Sequence, residues 1–170
     1  LQGKVYGLFG FGNIAQQVAA RMQAFGLAVM AFDPYVPAEA FASRQVRRAG
    51  SLEELLRAVD FLSVHAPLTP ETQGILNATA FGWMKRTAVL VNTSRGPIIN
   101  EADLLAALQE GRLAGAGLDV LTEEPPKLPL ALAALDNVVL TPHTAWYSDE
   151  AMPELRRKAA QEVARTLTEG

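Results

Sequence analysis

The chain contains no cysteine, which excludes disulfides and thiolate metal sites and leaves the redox compartment unreadable. No apolar run approaches the roughly 20 residues that a membrane-spanning helix needs, and no signal-peptide pattern is visible. The expectations are no membrane association and a cytoplasmic location. An excess of positive charge is also missing. Lys and Arg number 15 against 18 Asp and Glu, a net charge of −3, which argues against a general nucleic-acid binder. The only basic cluster, Arg44, Arg47 and Arg48, reads as a solvated surface. Histidine is scarce, with His65 and His143 alone, and no metal site is expected. There is no low-complexity segment and no internal repeat beyond an alternation of strand and helix patterns.

What is present suits one globular α/β domain: 170 residues, 49% of them hydrophobic and 19% charged. The chain opens at Leu1 without a Met, almost directly on its first strand. The expectation is a single nucleotide-binding domain over residues 1–170, taken from a larger protein.

The stretch that organises the rest is Val5-Tyr6-Gly7-Leu8-Phe9-Gly10-Phe11-Gly12-Asn13-Ile14-Ala15. An apolar run ends in Gly10-x-Gly12-x-x-Ala15, and a helical pattern follows, with Ile14, Val18, Met22 and Phe25 on its apolar face. This is the strand, tight turn and helix of a dinucleotide-binding fingerprint. Gly10 permits the turn, Gly12 lets backbone approach a pyrophosphate, and a small third residue, Ala15, allows helix and strand to pack closely. The helix N-terminus offers free N–H groups to the phosphates. A second apolar run, Ala28 to Phe32, ends in Asp33, eighteen positions after Ala15. A carboxylate there accepts the adenosine ribose hydroxyls and repels a 2′-phosphate, which favours NAD over NADP.

Further along, Ser51-Leu52-Glu53-Glu54 is a capping box that opens a helix through about Ala58. Phe61 to His65 reads as a buried strand stopped by Pro67 and Pro70. Thr79 to Lys85 reads as a short helix, and Ala88 to Asn92 as a strand. Asn100 caps a helix from Glu101 to Glu110, whose Leu104, Leu105 and Leu108 face inward and which Gly111 stops. Leu113 to Val120 holds a strand, Glu123 to Pro129 is a proline-rich connection, Leu130 to Leu135 is helical, and Val138 to Leu140 is a last strand. From about Asp149 a helix carries Met152, Leu155, Ala159, Val163 and Leu167 on one stripe.

This alternation predicts a doubly wound parallel sheet, a Rossmann-type αβα sandwich of three layers. Ligands of such sheets lie outside the carboxyl ends of the strands. The residues just after each strand therefore share one edge: Gly10 to Ala15, Asp33, His65 to Pro67, Asn92 to Gly96, Asp119 to Glu124 and Thr141 to His143. Arg95 on that edge suits a carboxylate, because its planar fork gives paired hydrogen bonds and keeps its charge. His143 can exchange a proton near neutral pH, and Glu124 beside it would orient the ring. His65 also stands at a strand end, and composition does not choose between the two histidines.

Five ordered motifs carry a resemblance over essentially the whole chain. They are Gly10-Phe11-Gly12-Asn13-Ile14-Ala15 with Asp33, Val64-His65-Ala66-Pro67-Leu68-Thr69-Pro70-Glu71-Thr72, Asn92-Thr93-Ser94-Arg95-Gly96, Leu118-Asp119-Val120-Leu121-Thr122-Glu123-Glu124-Pro125 and Thr141-Pro142-His143. Together they resemble the nucleotide-binding domain of the D-isomer-specific 2-hydroxyacid dehydrogenases. The look is nearest to the branch of the C-terminal-binding proteins, glyoxylate–hydroxypyruvate reductases and phosphoglycerate dehydrogenases. The resemblance implies NAD as cofactor and a small 2-oxo or 2-hydroxy acid as substrate. It implies Arg95 as the carboxylate-binding arginine, His143 as the acid/base, and Glu124, with Glu123 as its nearest rival, as the glutamate paired with that histidine. Asp119 falls near the nicotinamide amide. Gly10, Gly12, Asn13, Ile14, Asp33, His65, Ala66, Pro67, Thr72, Thr93, Ser94, Arg95, Asp119 and His143 would border the cofactor, with His65 shaping its adenosine side. The formate dehydrogenase branch carries glutamine in place of Glu124.

After His143 the chain reads Thr144-Ala145-Trp146-Tyr147, similar to the C-terminal-binding-protein branch, which places Trp146 in the substrate pocket beside Arg95 and His143. Its alternative is a buried anchor for the last helix. The resemblance further implies a homodimer and a separate substrate domain absent from this sequence, with no turnover expected of the domain alone. A rival reading is a dinucleotide-sensing, corepressor-like dimer without significant turnover.

Overall fold

The computed structural model describes residues 1–128 and 130–169. Seven strands form one parallel sheet in the order β3-β2-β1-β4-β5-β6-β7. They are β1 (Val5–Phe9), β2 (Ala28–Phe32), β3 (Arg47–Arg48), β4 (Phe61–Val64), β5 (Val89–Asn92), β6 (Gly115–Leu118) and β7 (Val138–Leu140). The order reverses direction between β1 and β4, whose register pairs Phe9 with Val64. Such a reversal opens a crevice at the carboxyl ends.

Local signals set the helices between them. In α3 (Leu52–Ala58) the Ser51 Oγ accepts the Glu54 N–H, while the Glu54 carboxylate reaches back to the N–H of Gly50. Asn77 caps α4 (Ala78–Trp83), accepting from Thr79 and Ala80. Asn100 caps α5 (Glu101–Gln109) through the Asp103 N–H. Gly111 follows in the left-handed region at φ 62°, the conformation that ends helices at little cost for glycine.

Alternation along the strands sends side chains into two cores. Phe9 and Met30 join Leu55, Leu56, Phe81, Leu104 and Leu108 beneath α3, α4 and α5. Leu8, Val29 and Ala31 point the other way, toward Phe11, Ala15, Ala19 and Phe41 of the layer formed by α1 (Asn13–Ala24) and α2 (Ala38–Ala42). The period-two pattern thus builds the expected αβα sandwich.

Several expectations change in detail. The buried face of α1 is Ala15 and Ala19, with Val18 and Met22 half-buried, whereas Ile14 is 71% and Phe25 63% exposed. Two alanines bring the helix axis close to the sheet, which rotates the larger residues outward. Leu105 is half-buried rather than buried. Leu130 to Leu135 contains only a 3-10 turn, Ala131–Ala134, and Pro129 of the proline-rich connection lies outside the described residues. The last helix, α6 (Ala151–Glu169), carries the predicted stripe, but Leu155, Val163 and Leu167 on it are exposed. The basic cluster is a surface as read: Arg47 pairs with Glu54 at 2.8 Å and Arg48 lies over the Phe41 ring at 5.4 Å.

Candidate active site

The six strand ends gather on one edge, where three recesses lie. One of about 420 Å³ is bordered by Gly12, Asn13, Ile14, Ala15, His65, Thr93, Ser94 and Arg95. A narrower one of about 140 Å³ holds Gly10, Asp33, Tyr35, Ala66, Pro67, Glu71 and Thr72. The third, about 420 Å³, has Asp119, Glu124, Thr141 and His143 on its wall beside Leu121, Pro125, Leu130 and Leu140. Of the candidate catalytic, cofactor-binding and substrate-pocket residues, all but Trp146 line one of them. Trp146 is 51% exposed, with its ring N–H donating to the His143 carbonyl at 2.8 Å. It is not the buried anchor.

The glycine turn fits a dinucleotide. Gly10 has φ 92°, and a Cβ there would lie 2.6 Å from the Ala66 nitrogen, so the turn presses against the β4 loop. Gly12 has open space where its Cβ would be. No side chain caps α1 and its first turn holds no acidic residue, so its leading N–H groups face the recess. The Asp33 carboxylate accepts the Phe11 N–H at 2.9 Å and the Tyr35 N–H at 3.0 Å. It therefore braces the turn as well as lining the narrower recess.

His65 sits with Gly12 and Arg95 rather than with the Asp33 recess. Its Nε2 is 2.9 Å from the Ser63 hydroxyl, and burial lowers its pKa to about 4, so it is neutral at pH 7. Ser94 ties the neighbouring loop to the β4 end by donating to the Ala66 carbonyl at 2.6 Å. Asn92 holds the turn below Arg95, donating to the Arg95 carbonyl and accepting from the Ser94 N–H, each at 3.0 Å. The Arg95 side chain is exposed and donates to the Ser94 carbonyl. Among the described residues it pairs with no carboxylate.

On the third recess, His143 Nδ1 meets Glu124 Oε2 at 2.8 Å. Burial alone would push the Glu124 carboxyl up, but the Leu121 N–H and the His143 ring outweigh it and hold it below the usual carboxylate range. Glu124 is thus the anion that fixes the imidazole, whereas Glu123 pairs with Lys127 at 3.0 Å. With Nδ1 engaged, Nε2 is the ring atom left to exchange a proton.

Two contributors escaped the sequence reading. Thr141 donates its hydroxyl to Asp119, and His143 has the positive φ of 53°. A Thr-Pro-His run closing a strand hints at a fixed turn, but the partner lies just after β6, twenty-two residues earlier.

Comparison with known proteins agrees with this geometry. The sequence profile described as "D-isomer specific 2-hydroxyacid dehydrogenase, NAD binding domain" matches residues 1–145. D-3-phosphoglycerate dehydrogenase of Methanocaldococcus jannaschii is 40% identical over 98% of this chain and 32% of its own length. Glycerate dehydrogenase of Methylorubrum extorquens is 39% identical over 96% of the chain and 50% of its own length. Among solved structures, the NAD complex of a D-isomer specific 2-hydroxyacid dehydrogenase from Lactobacillus delbrueckii ssp. bulgaricus superposes with a TM-score of 0.88 at 29% identity. That match covers 98% of this chain and 54% of the other. The holo form of Rhodotorula graminis D-mandelate dehydrogenase gives 0.89 at 33% identity, over 96% and 48%. The chain thus spans about a third to a half of the length of these relatives. An open cradle at Gly12, a carboxylate at the end of β2 and a profile match over most of the chain agree: this protein belongs to the D-isomer specific 2-hydroxyacid dehydrogenases, as their NAD-binding domain.

Proposed function

We propose that this chain is the cofactor half of an NAD-dependent D-2-hydroxyacid dehydrogenase that interconverts a 2-oxo acid and its D-2-hydroxy acid. The single observation that carries the reading is the 2.8 Å His143–Glu124 pair, with Nε2 open, on the sheet edge it shares with Arg95 and Gly12.

Bound NADH would supply a hydride to the carbonyl carbon. His143 gives the proton to the carbonyl oxygen from Nε2, and takes it back in the reverse direction. Glu124, accepting from Nδ1, orients the ring. Arg95 holds the substrate carboxylate through its paired donors, and its positive charge steadies the developing oxyanion. Gly10, Gly12, Asn13 and Ile14 hold the pyrophosphate side, and Asp33 the adenosine ribose. His65, Ala66, Pro67, Thr72, Thr93 and Ser94 border the cofactor, and Asp119 reaches the nicotinamide amide. Trp146, half exposed beside His143, meets the substrate tail.

The relatives' names include glycerate, mandelate and 3-phosphoglycerate, acids that share a hydroxyl beside a carboxylate and differ in the tail. That common part is the substrate class assigned here. The activity requires a substrate domain that closes the cleft and excludes water. Homodimerisation, a cytoplasmic location and the absence of nucleic-acid and membrane partners complete the proposal. A corepressor-like sensor would have no use for the Arg95, Glu124 and His143 set.

The test is a fluorescence titration of this chain with NADH and NADPH, followed by a 2-oxo-acid screen of the full-length protein containing it. Saturation by NADH with turnover of at least one 2-oxo acid supports the proposal. NADH binding without turnover of any would favour the sensor.

A further inference from the structure

We propose that Asp119 is a positioning residue for His143, clamping residues 141–145 in the left-handed turn that aims the imidazole at Glu124. The inference rests on the role given to His143 above.

A histidine at φ 53° occupies backbone space that a Cβ-bearing residue enters only when its surroundings hold it there. Two local ties hold it, the Thr141 carbonyl, which shares the His143 N–H at 3.0 Å, and the Trp146 ring N–H on the His143 carbonyl at 2.8 Å, but most of the restraint comes from Asp119. The Asp119 carbonyl accepts the His143 N–H at 2.8 Å. Its carboxylate accepts the Thr141 hydroxyl and the Thr144 N–H on Oδ1, the latter at 2.9 Å, and the Ala145 N–H on Oδ2 at 2.9 Å. Donors on both sides of His143 therefore converge on Asp119.

Asp119 is itself fixed. It follows β6, its N–H donates to the Asn92 carbonyl at 2.9 Å, and the Thr141 N–H donates to the Leu118 carbonyl at 3.0 Å. Both ends of the turn are thus pinned to adjacent strands. The side chain is 4% exposed. Burial alone would raise its carboxyl pKa, but the Thr141, Ala145 and Thr144 donors and the nearby His143 charge hold it below the usual range, so the clamp is an anion at neutral pH. A carboxylate offers about four acceptor sites, and this chain fills three of them. One remains for the nicotinamide amide, so the two roles are compatible.

Positioning makes a claim about the imidazole itself. In the clamped turn Glu124 keeps the neutral ring's proton on Nδ1; a ring released from it returns to the mixed pattern of free imidazole, in which Nε2–H dominates. Only two histidines are present, so ring-nitrogen NMR of this chain, recorded at alkaline pH without cofactor or substrate, reads both at once. Asp119→Asn should abolish the Nδ1–H pattern of His143 and leave that of His65 unchanged, which certifies the fold. Thr141→Val keeps the charge and removes one tie. It should speed amide exchange at Thr144 and Ala145 about tenfold, the scale of one hydrogen bond, and shift the His143 pattern in the same direction. A folded Asp119→Asn chain that retains Nδ1–H overturns the proposal. So does an unaltered Thr141→Val chain, which decides the matter if the Asn variant does not fold. Because neither reading involves turnover, failure here is distinct from failure of the enzymatic assignment.

Discussion

Gly10 and Gly12 stand in the same turn and are glycine for opposite reasons. At Gly10 the φ of 92° and the Ala66 backbone exclude a side chain, whereas at Gly12 the φ is −73° and the space beyond the missing Cβ is open. The first glycine serves the fold. The second leaves open the space proposed for the pyrophosphate.

Gly12→Val should therefore fold as the parent does, with Tm within about 2 °C, yet bind NADH at least about tenfold more weakly, a loss of 1.4 kcal/mol. Gly10→Val should lower Tm markedly. Thermal melts beside NADH titrations separate the two, and equal NADH affinity in Gly12→Val would remove the pyrophosphate from this turn.

Asp33 braces Phe11 and Tyr35 while lining the recess proposed for the adenosine ribose. Asp33→Ala should lose NADH affinity and also stability, on the order of 1.5–3 kcal/mol per charge-assisted hydrogen bond removed. A simple switch to NADPH is not expected from this change. Parallel NADH and NADPH titrations with a urea melt check it; NADPH binding at full stability would contradict the bracing role.

In the full-length protein containing this chain, the proposed role predicts that His143→Ala lowers kcat by about 10²–10⁴, the range of general acid–base catalysis, while NADH affinity stays within about threefold, less than 1 kcal/mol. Glu124→Gln should also lower kcat, because a neutral amide replaces the anion that accepts from Nδ1 and orients the ring. Pre-steady-state turnover with separate NADH titration reads both, and unchanged turnover in His143→Ala would exclude it as the acid.

His65 links pH to stability. Its folded pKa of about 4 lies below the ordinary 6.5, so below pH 6.5 the unfolded chain takes up a proton that the folded chain refuses. Stability is full above pH 6.5 and falls as pH drops toward 4, by about 3 kcal/mol at 1.36 kcal/mol per unit. Glu124 and Asp119, whose pKa values are lowered on folding, contribute stability that is lost only at more acid pH, through their folded values. Urea melts from pH 7 to 4 should show the decline, and His65→Gln should flatten it; an equally steep decline in the variant would place the linked proton elsewhere.

What the sequence determined on its own is what short-range rules control. The glycine turn, the capping residues Ser51 and Asn100, and the strand–helix alternation depend on sterics and hydrogen bonds within a few residues, and a parallel sheet then puts every strand end on one edge. The family motifs made Arg95, Glu124 and His143 legible as a set. Tertiary structure decided the pairings that cross the sheet. Glu124 rather than Glu123 reaches His143 because β6 and β7 are neighbours and carry the 119–124 and 141–145 segments side by side. The same adjacency closes the Asp119 clamp. Burial likewise fixed the charge of His65, and two small alanines decided which face of α1 meets the sheet. Periodicity reports that a stripe exists, as on α6, but the residues that would cover it are a matter of packing, and there Leu155, Val163 and Leu167 are exposed.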